Sequence, residues 1–262
     1  MLDQGFTVSG KGPMVVFLHS SLSSSKQWAS LANELSKNFT CINIDLLGYG
    51  NASFPQVAEY NFEVEASRII DIVDSVNVNG KFHLIGHSCG GAIALKIAVE
   101  QSHKLLSLAL FEPVAFHLLA QSTNNEHQQF ATHVKKFADE IALGENSKGT
   151  ETFVDFWNGT GFYANLPIKV QTIMAAQFEK VKLDFVGIFH ETYTIANLKN
   201  IQCPCLVMYG KYTQQVSKEL SHTIVDALDS VTVEEVDAGH MAPISHPQLM
   251  FPFISSFIYQ GK

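Results

Sequence analysis

The sequence has no long apolar run and little positive charge, and each shortage excludes a class of protein. No apolar run approaches the ~18 residues that cross a membrane, and the start, Met1-Leu2-Asp3-Gln4, has neither the basic nor the apolar region of a secretory signal. Only 17 Lys and Arg stand against 25 Asp and Glu, a net charge of −8 without a basic cluster. We therefore expect a cytoplasmic protein that binds neither nucleic acid nor membranes.

Cysteines and metal-binding motifs are also scarce. The chain has four cysteines, Cys41, Cys89, Cys203 and Cys205, and their positions predict reduced thiols rather than a disulfide framework. The sequence contains no His-Glu-x-x-His motif, no Cys/His ligand spacing and no acidic metal loop, which argues against a metal site. No Gly-x-Gly-x-x-Gly follows a predicted strand, so a dinucleotide site is not expected.

What the sequence does contain is a regular alternation of predicted strands and helices. Apolar runs rich in β-branched residues occur at 14–19, 40–45, 81–86, 105–111, 204–209 and 231–236. With helix-period segments between most of them, these runs predict an α/β fold with a mostly parallel sheet covered on both faces. Residues 114–200 contain several amphipathic helices and are too long for a loop. We predict a core domain of 1–113 and 201–262 with a helical cap of 114–200.

The most informative stretch is Gly86-His87-Ser88-Cys89-Gly90-Gly91. It follows an apolar strand pattern and precedes a helix of small residues, the context of a nucleophile elbow. A serine on so tight a turn takes a strained backbone conformation, and glycines two residues to either side leave room for it. Ser88 is therefore the predicted nucleophile.

A serine hydroxyl needs a base within hydrogen-bonding reach, and His240 is the predicted base. It follows the last predicted strand, between Gly239, which permits a turn, and Pro243, which stops early helix formation. That places the imidazole at the carboxyl ends of the strands, where open α/β sheets hold their sites. The alternative is a histidine that caps or packs.

An acyl-transfer site also needs backbone donors for the developing oxyanion. The N–H of Cys89, the residue after the predicted nucleophile, is one candidate. The N–H of Ser21, in the loop after the strand at 14–18, is the other. The serine-rich run 20–25 is alternatively a polar turn that caps the helix containing Trp28, and both interpretations are compatible.

Four motifs in the right order resemble the α/β-hydrolase fold superfamily, over essentially the whole chain. They are His19 at the oxyanion loop, the Asp-x-x-Gly-x-Gly-x-x-Ser run of 45–53, the elbow at Ser88, and Gly239-His240. The resemblance implies an eight-stranded, mostly parallel sheet, a helical cap, a serine hydrolase with a catalytic triad, and no cofactor.

Two positions depart from the pattern of the superfamily. Ser20 stands where most relatives have glycine, and Thr213 stands where relatives often have the acid of the triad. We predict that Glu112, at the end of the strand at 105–111, replaces that acid, as in some members of the superfamily. A carboxylate that ends an apolar strand is hard to explain by packing. The alternative is a hinge glutamate bonded to a backbone amide. On the triad hypothesis, Glu112→Gln is costly and Thr213→Ala costs little.

The predicted cap is rich in large apolar side chains, which suggest an uncharged, hydrophobic acyl or aryl substrate. Packing between cap helices explains many of these aromatics equally well. The predicted substrate-binding residues are His19, Trp157, Phe162 and Met241. We predict a hydrolase of an ester, thioester or lactone, acting as a monomer or homodimer. Alternatives are a slow or inactive binding protein on the same fold, suggested by Thr213 and Ser20, or an acyltransferase or lyase.

Overall fold

The computed structural model describes residues 5–56, 60–78 and 80–260. The start of the chain, which contributed to the predicted location, lies outside these residues. Seven strands form one sheet in the order β1-β3-β2-β4-β5-β6-β7. They are β1 (Phe6–Ser9), β2 (Met14–Leu18), β3 (Thr40–Ile44), β4 (Phe82–His87), β5 (Leu105–Phe111), β6 (Cys205–Gly210) and β7 (Val231–Val236).

The sheet is parallel except for β1, which pairs antiparallel with β3. The mostly parallel α/β fold is thus confirmed, although the described residues form seven strands where the resemblance implied eight. Strand β1 was not among the predicted strands. Its four residues are partly or fully exposed, so it lacks the apolar run that marks a buried strand.

Eleven α-helices occur in the described residues. They are α1 (Ala29–Leu35), α2 (Phe62–Val76), α3 (Cys89–Gln101), α4 (His117–Ala120), α5 (Asn125–Leu143), α6 (Asn146–Asn158), α7 (Ile168–Ala176), α8 (Phe178–His190), α9 (Gln215–Ala227), α10 (Ala242–Ser245) and α11 (Phe251–Gln260). Short 3₁₀ helices occupy Ser25–Trp28, Ser102–Lys104, Tyr163–Asn165, Ile195–Asn200 and Pro247–Leu249. None of these helices is both long and apolar enough to cross a membrane.

Helices cover both faces of the sheet, which explains the continuous apolar runs of its central strands. All five residues of β2 are buried. Val16 packs into the core on one face, and Val15 and Phe17 pack into the core on the other. The second face is closed by residues such as Trp28, which is fully buried. Between β5 and β6 the chain forms only helices, α4 to α8 and two 3₁₀ turns, in the stretch predicted as the cap.

Candidate active site

Ser88 occupies the turn between β4 and α3. Its φ of 54° and ψ of −117° lie in the left-handed half of the backbone map, where a non-glycine residue is strained by about 1–3 kcal/mol. Glycines make the turn possible: a Cβ at Gly90 would lie 2.4 Å from the His19 carbonyl oxygen, and one at Gly86 would lie 2.6 Å from that of Gly90. The turn holds Ser88 at the carboxyl end of the sheet.

Two other predicted residues converge on Ser88. The His240 Nε2 lies 3.0 Å from the Ser88 Oγ, and the His240 Nδ1 lies 2.6 Å from the Glu112 Oε2. Exposed fractions are 5% for Ser88, 2% for His240 and 1% for Glu112. A carboxylate only accepts hydrogen bonds, so the Nδ1 carries the proton and the Nε2 is left to accept from the Ser88 hydroxyl. This tautomer is the one a general base requires.

Glu112 directly follows β5 and has a φ of 41°, a second strained position at the site. Its Oε1 accepts from the Gly210 N–H at 2.7 Å, and its Oε2 accepts from the Thr213 hydroxyl at 2.6 Å as well as from His240. The contacts of Glu112 match both predicted roles, because its carboxylate bonds the imidazole, as the acid of a triad would, and a backbone amide, as a hinge glutamate would. The sequence did not predict the contact made by Thr213, whose hydroxyl helps to hold the Glu112 carboxylate.

Two neighbouring residues hold His240 in place, one through its ring and one through its backbone. The Trp157 indole, from α6, stacks on it with ring centroids 3.8 Å apart and an interplanar angle of 21°. On another side, the His87 Nε2–H donates to the His240 carbonyl oxygen at 2.9 Å. Burial lowers the pKa of His87 well below its ordinary value, so His87 is neutral and acts as a scaffold for the His240 loop.

The N–H groups of Ser21 and Cys89 are available as oxyanion donors. Cys89 is the first residue of α3, where a helix leaves its N–H groups without intrahelical acceptors. Among the hydrogen bonds of the described residues, neither N–H donates to a protein acceptor. The serine-rich run makes no side-chain cap at Ser24; instead the Ser25 N–H donates to the Asp45 carboxylate at 2.6 Å.

His19 lies beneath this loop and does not line the cavity as predicted. Its ring is fully buried; the Nε2 accepts from the Leu46 N–H at 2.9 Å, and the Nδ1–H donates to the Ser20 carbonyl at 2.7 Å. Burial lowers the pKa of His19 to about 4, which keeps this tautomer neutral. Ser20, in place of glycine, directs its N–H and its hydroxyl to the Gln27 Oε1 at 3.2 and 3.1 Å.

A cavity of about 230 Å³ opens beside Ser88 and His240. Its walls include three of the predicted substrate-binding residues, Trp157, Phe162 and Met241; the remaining lining residues are Ser20, Ser21, Leu22, Phe153, Val154, Asn158, Leu166, Met174, Ile244 and Ser245. No Lys or Arg is among them. A narrower space of about 10 Å³, room for about one water, lies between Ser88, Trp157 and Asp184.

Two wider grooves, of about 440 and 590 Å³, flank α5 and do not reach Ser88. In the part of the chain that the structure describes, no three His, Cys, Asp or Glu side chains are grouped to hold a metal ion.

The sequence did not indicate that Asp184 lies beside Ser88. Lys180 and Asp184 are spaced i to i+4 on α8, which is the pattern of an ordinary surface ion pair.

Comparisons with known proteins agree with this architecture. A carboxylesterase of Bacillus subtilis is 23% identical over 256 residues, 95% of this chain and 81% of that protein. An enol-lactonase from Burkholderia xenovorans superposes with a TM-score of 0.77 at 15% identity, covering 97% of this chain and 95% of the other. A thermophilic esterase from Thermogutta terrifontis gives 0.77 at 20% identity, covering 98% and 93%.

The family match extends from before β2 to beyond His240. The sequence model described as the alpha/beta hydrolase fold matches residues 13–247, a range that contains the elbow, Glu112 and His240 and runs through the helical insertion. The chain belongs to the alpha/beta hydrolase fold family.

Proposed function

We propose that the protein is a serine hydrolase of ester or related acyl bonds in a small, uncharged, hydrophobic substrate. The observation that carries this proposal is the continuous hydrogen-bonded chain from Ser88 through His240 to Glu112, at the wall of an apolar cavity. The similar proteins named as a carboxylesterase, an enol-lactonase and an esterase support hydrolysis of this bond class.

In the proposed reaction, the Ser88 Oγ attacks the carbonyl carbon while the His240 Nε2 takes the hydroxyl proton. The electron pair of the carbonyl double bond moves to oxygen, and the N–H groups of Ser21 and Cys89 stabilise the oxyanion. Collapse of the tetrahedral intermediate expels the alkoxide leaving group, and His240 gives it the proton. Water activated by His240 then hydrolyses the acyl-enzyme, and Glu112 stabilises the imidazolium during both acylation and deacylation.

The walls of the cavity favour a neutral substrate. Apart from His240, the lining of the larger cavity has no ionisable side chain, and the narrower space adds only the carboxylate of Asp184. A substrate carboxylate would lose its hydration there without gaining a cationic partner. Thr213 and Ser20, which suggested an inactive binding protein, both make hydrogen bonds that hold the site together.

The test is labelling with a fluorophosphonate, which reports an activated serine without knowledge of the substrate. We expect rapid labelling of the wild type and none of Ser88→Ala. Ser245→Ala is the matched control, because Ser245 also lines the cavity but its hydroxyl bonds the Met241 carbonyl and the His246 ring, not His240. Labelling that persists in Ser88→Ala, or no labelling of the folded wild type, would contradict the proposal.

A substrate screen tests the bond class and the acyl group. We expect hydrolysis of neutral p-nitrophenyl esters and poor hydrolysis of a p-nitrophenyl ester of the same length that ends in a carboxylate. A primary alcohol added as a competing acceptor distinguishes a hydrolase, which transfers the acyl group to water, from an acyltransferase, which transfers it to the alcohol. If the anionic ester is turned over as well as its neutral counterpart, the assignment of a neutral substrate is wrong.

A further inference from the structure

Three charged side chains are buried where α8 of the cap meets the core. Lys180 and Asp184 lie one turn apart on α8, and Glu65 lies on α2; their side chains are 0%, 2% and 0% exposed. Charges removed from water are costly unless they are paired and hydrogen-bonded. The Lys180 ammonium contacts the Asp184 Oδ1 and lies 3.5 Å from the Glu65 Oε1. The cap is therefore docked on the core through a satisfied ionic cluster.

Protonation within the cluster follows from its surroundings. Burial by itself would lower the pKa of Lys180, but Asp184 and Glu65 raise it above its ordinary value, so the amine stays charged. Burial, reinforced by Asp184, raises the pKa of Tyr49 well above its ordinary value. The Tyr49 phenol consequently keeps its proton and is a hydrogen-bond donor.

Asp184 reaches from the cap to two loops of the core. Its Oδ2 accepts from the Ser21 hydroxyl at 2.6 Å and from the Tyr49 hydroxyl at 2.6 Å. These donors lie in the loops after β2 and β3, at the edge of the sheet that holds Ser88. Since a carboxylate only accepts, the Ser21 hydroxyl must donate to it. A side chain of the cap thus holds the residue whose N–H is the proposed oxyanion donor.

The loop that carries Ser21 needs contacts of this kind. Leu22, the next residue, has a φ of 55°, a strained value that persists only where the surroundings impose it. His19 and Gln27 hold the loop from the core side through Ser20. Asp184 holds it from the cap side through Ser21.

We propose that Asp184 is a positioning residue that orients the Ser21 peptide toward the oxyanion. This inference rests on the proposed function, because it takes the Ser21 N–H as an oxyanion donor. It also assigns a role to the cap beyond enclosing the substrate. The oxyanion hole is complete only when α8 is docked on the core.

The central variant is Asp184→Asn, which keeps the shape of the side chain and removes its charge. Loss of one oxyanion donor costs about 10²–10³ in kcat, and a mispositioned donor costs less. We expect kcat for a neutral p-nitrophenyl ester to fall about 10- to 100-fold with KM changed less than about threefold. Glu65→Gln is the matched control, because it removes a charge from the same cluster but contacts Leu47 and Tyr60 rather than Ser21.

A double-mutant cycle separates positioning from general stability. Ser21→Ala keeps the backbone N–H and removes the hydroxyl that Asp184 holds. If Asp184 acts through this hydroxyl, Ser21→Ala combined with Asp184→Asn lowers kcat no further than the more damaging single variant. Losses that multiply, or a kcat of Glu65→Gln as low as that of Asp184→Asn, would overturn the inference.

Hydrogen exchange supplies a readout independent of turnover. We expect amides of residues 19–25 to exchange faster in Asp184→Asn than in the wild type or in Glu65→Gln. Unchanged exchange in this segment overturns the positioning role even if activity falls. A wild type that does not react with a fluorophosphonate contradicts the proposed function instead, while the exchange data still decide whether Asp184 holds the loop.

Discussion

Replacing Glu112 with glutamine is expected to remove most of the activity without unfolding the site. The Gly210 N–H can only donate, so it holds the amide oxygen of the glutamine at the present Oε1 position, 2.7 Å away. The amide nitrogen then occupies the Oε2 position and donates to the His240 Nδ1. His240 responds by carrying its proton on the Nε2, where it can no longer accept from Ser88.

The magnitude follows from that change of tautomer. In serine proteases the acid-to-amide change lowers kcat about 10⁴-fold, which corresponds to about 5.5 kcal/mol of transition-state stabilisation. Here we expect a loss of about 10³- to 10⁴-fold with little change in KM, because Glu112 does not line the cavity. Thr213→Ala is now expected to cost more than the sequence suggested, about tenfold, since it removes a hydrogen bond to a charged group.

A second carboxylate should restore part of the loss. The Thr213 Oγ1 and the His240 Nδ1 are each 2.6 Å from the same Glu112 oxygen, so they lie within about 5 Å of each other. An aspartate at position 213, one bond longer than threonine, reaches toward the imidazole. We expect Glu112→Gln with Thr213→Asp to exceed Glu112→Gln alone at least tenfold in kcat.

Steady-state hydrolysis of a p-nitrophenyl ester and the rate of fluorophosphonate labelling measure the effect together. Tyr212→Asp in the Glu112→Gln background is the control, because a substitution at the exposed Tyr212 adds the same charge one residue away from position 213. A Glu112→Gln enzyme within tenfold of the wild type would refute the role of Glu112. Equal recovery in both double variants would refute the geometric argument for position 213.

Three further results are expected. Burial lowers the pKa of His83 and of His117 to about 4, so the unfolded chain binds more protons below pH 6.5. Urea unfolding at pH 7, 6 and 5 should therefore show a free energy of unfolding that falls by about 2 kcal/mol in total from pH 7 to pH 5 for each of these two histidines, with a shallower dependence in His83→Gln. In Trp28→Phe, emission from Trp157, stacked on His240, should respond to a bound product analogue; an unchanged spectrum with a confirmed ligand would place the indole elsewhere. Burial raises the pKa of Cys89 well above its ordinary value, so iodoacetamide should leave activity intact, and rapid inactivation would contradict this environment.

The sequence predicted the parts of this protein that local patterns encode. Strands β2 to β6 were predicted from apolar runs, because a strand covered on both faces is apolar along its whole length, whereas the exposed edge strand β7 was predicted from its β-branched residues. The elbow was predicted from its glycines, since the tight turn leaves no space for a Cβ at Gly86 or Gly90. Strand β1 was missed because it has only four residues, all half-buried or exposed, which are too few to show a strand pattern.

Contacts between distant residues were decided by the tertiary structure. Glu112 was proposed for the place that Thr213 vacates, but only the fold shows the two side chains bonded across 101 positions of sequence. His19 was expected in the cavity and lies beneath the loop instead. The bond between Ser21 and Asp184 spans 163 positions. Periodicity and motifs report which residues are buried or turned, whereas the partner of a buried polar group depends on which elements the fold packs against it.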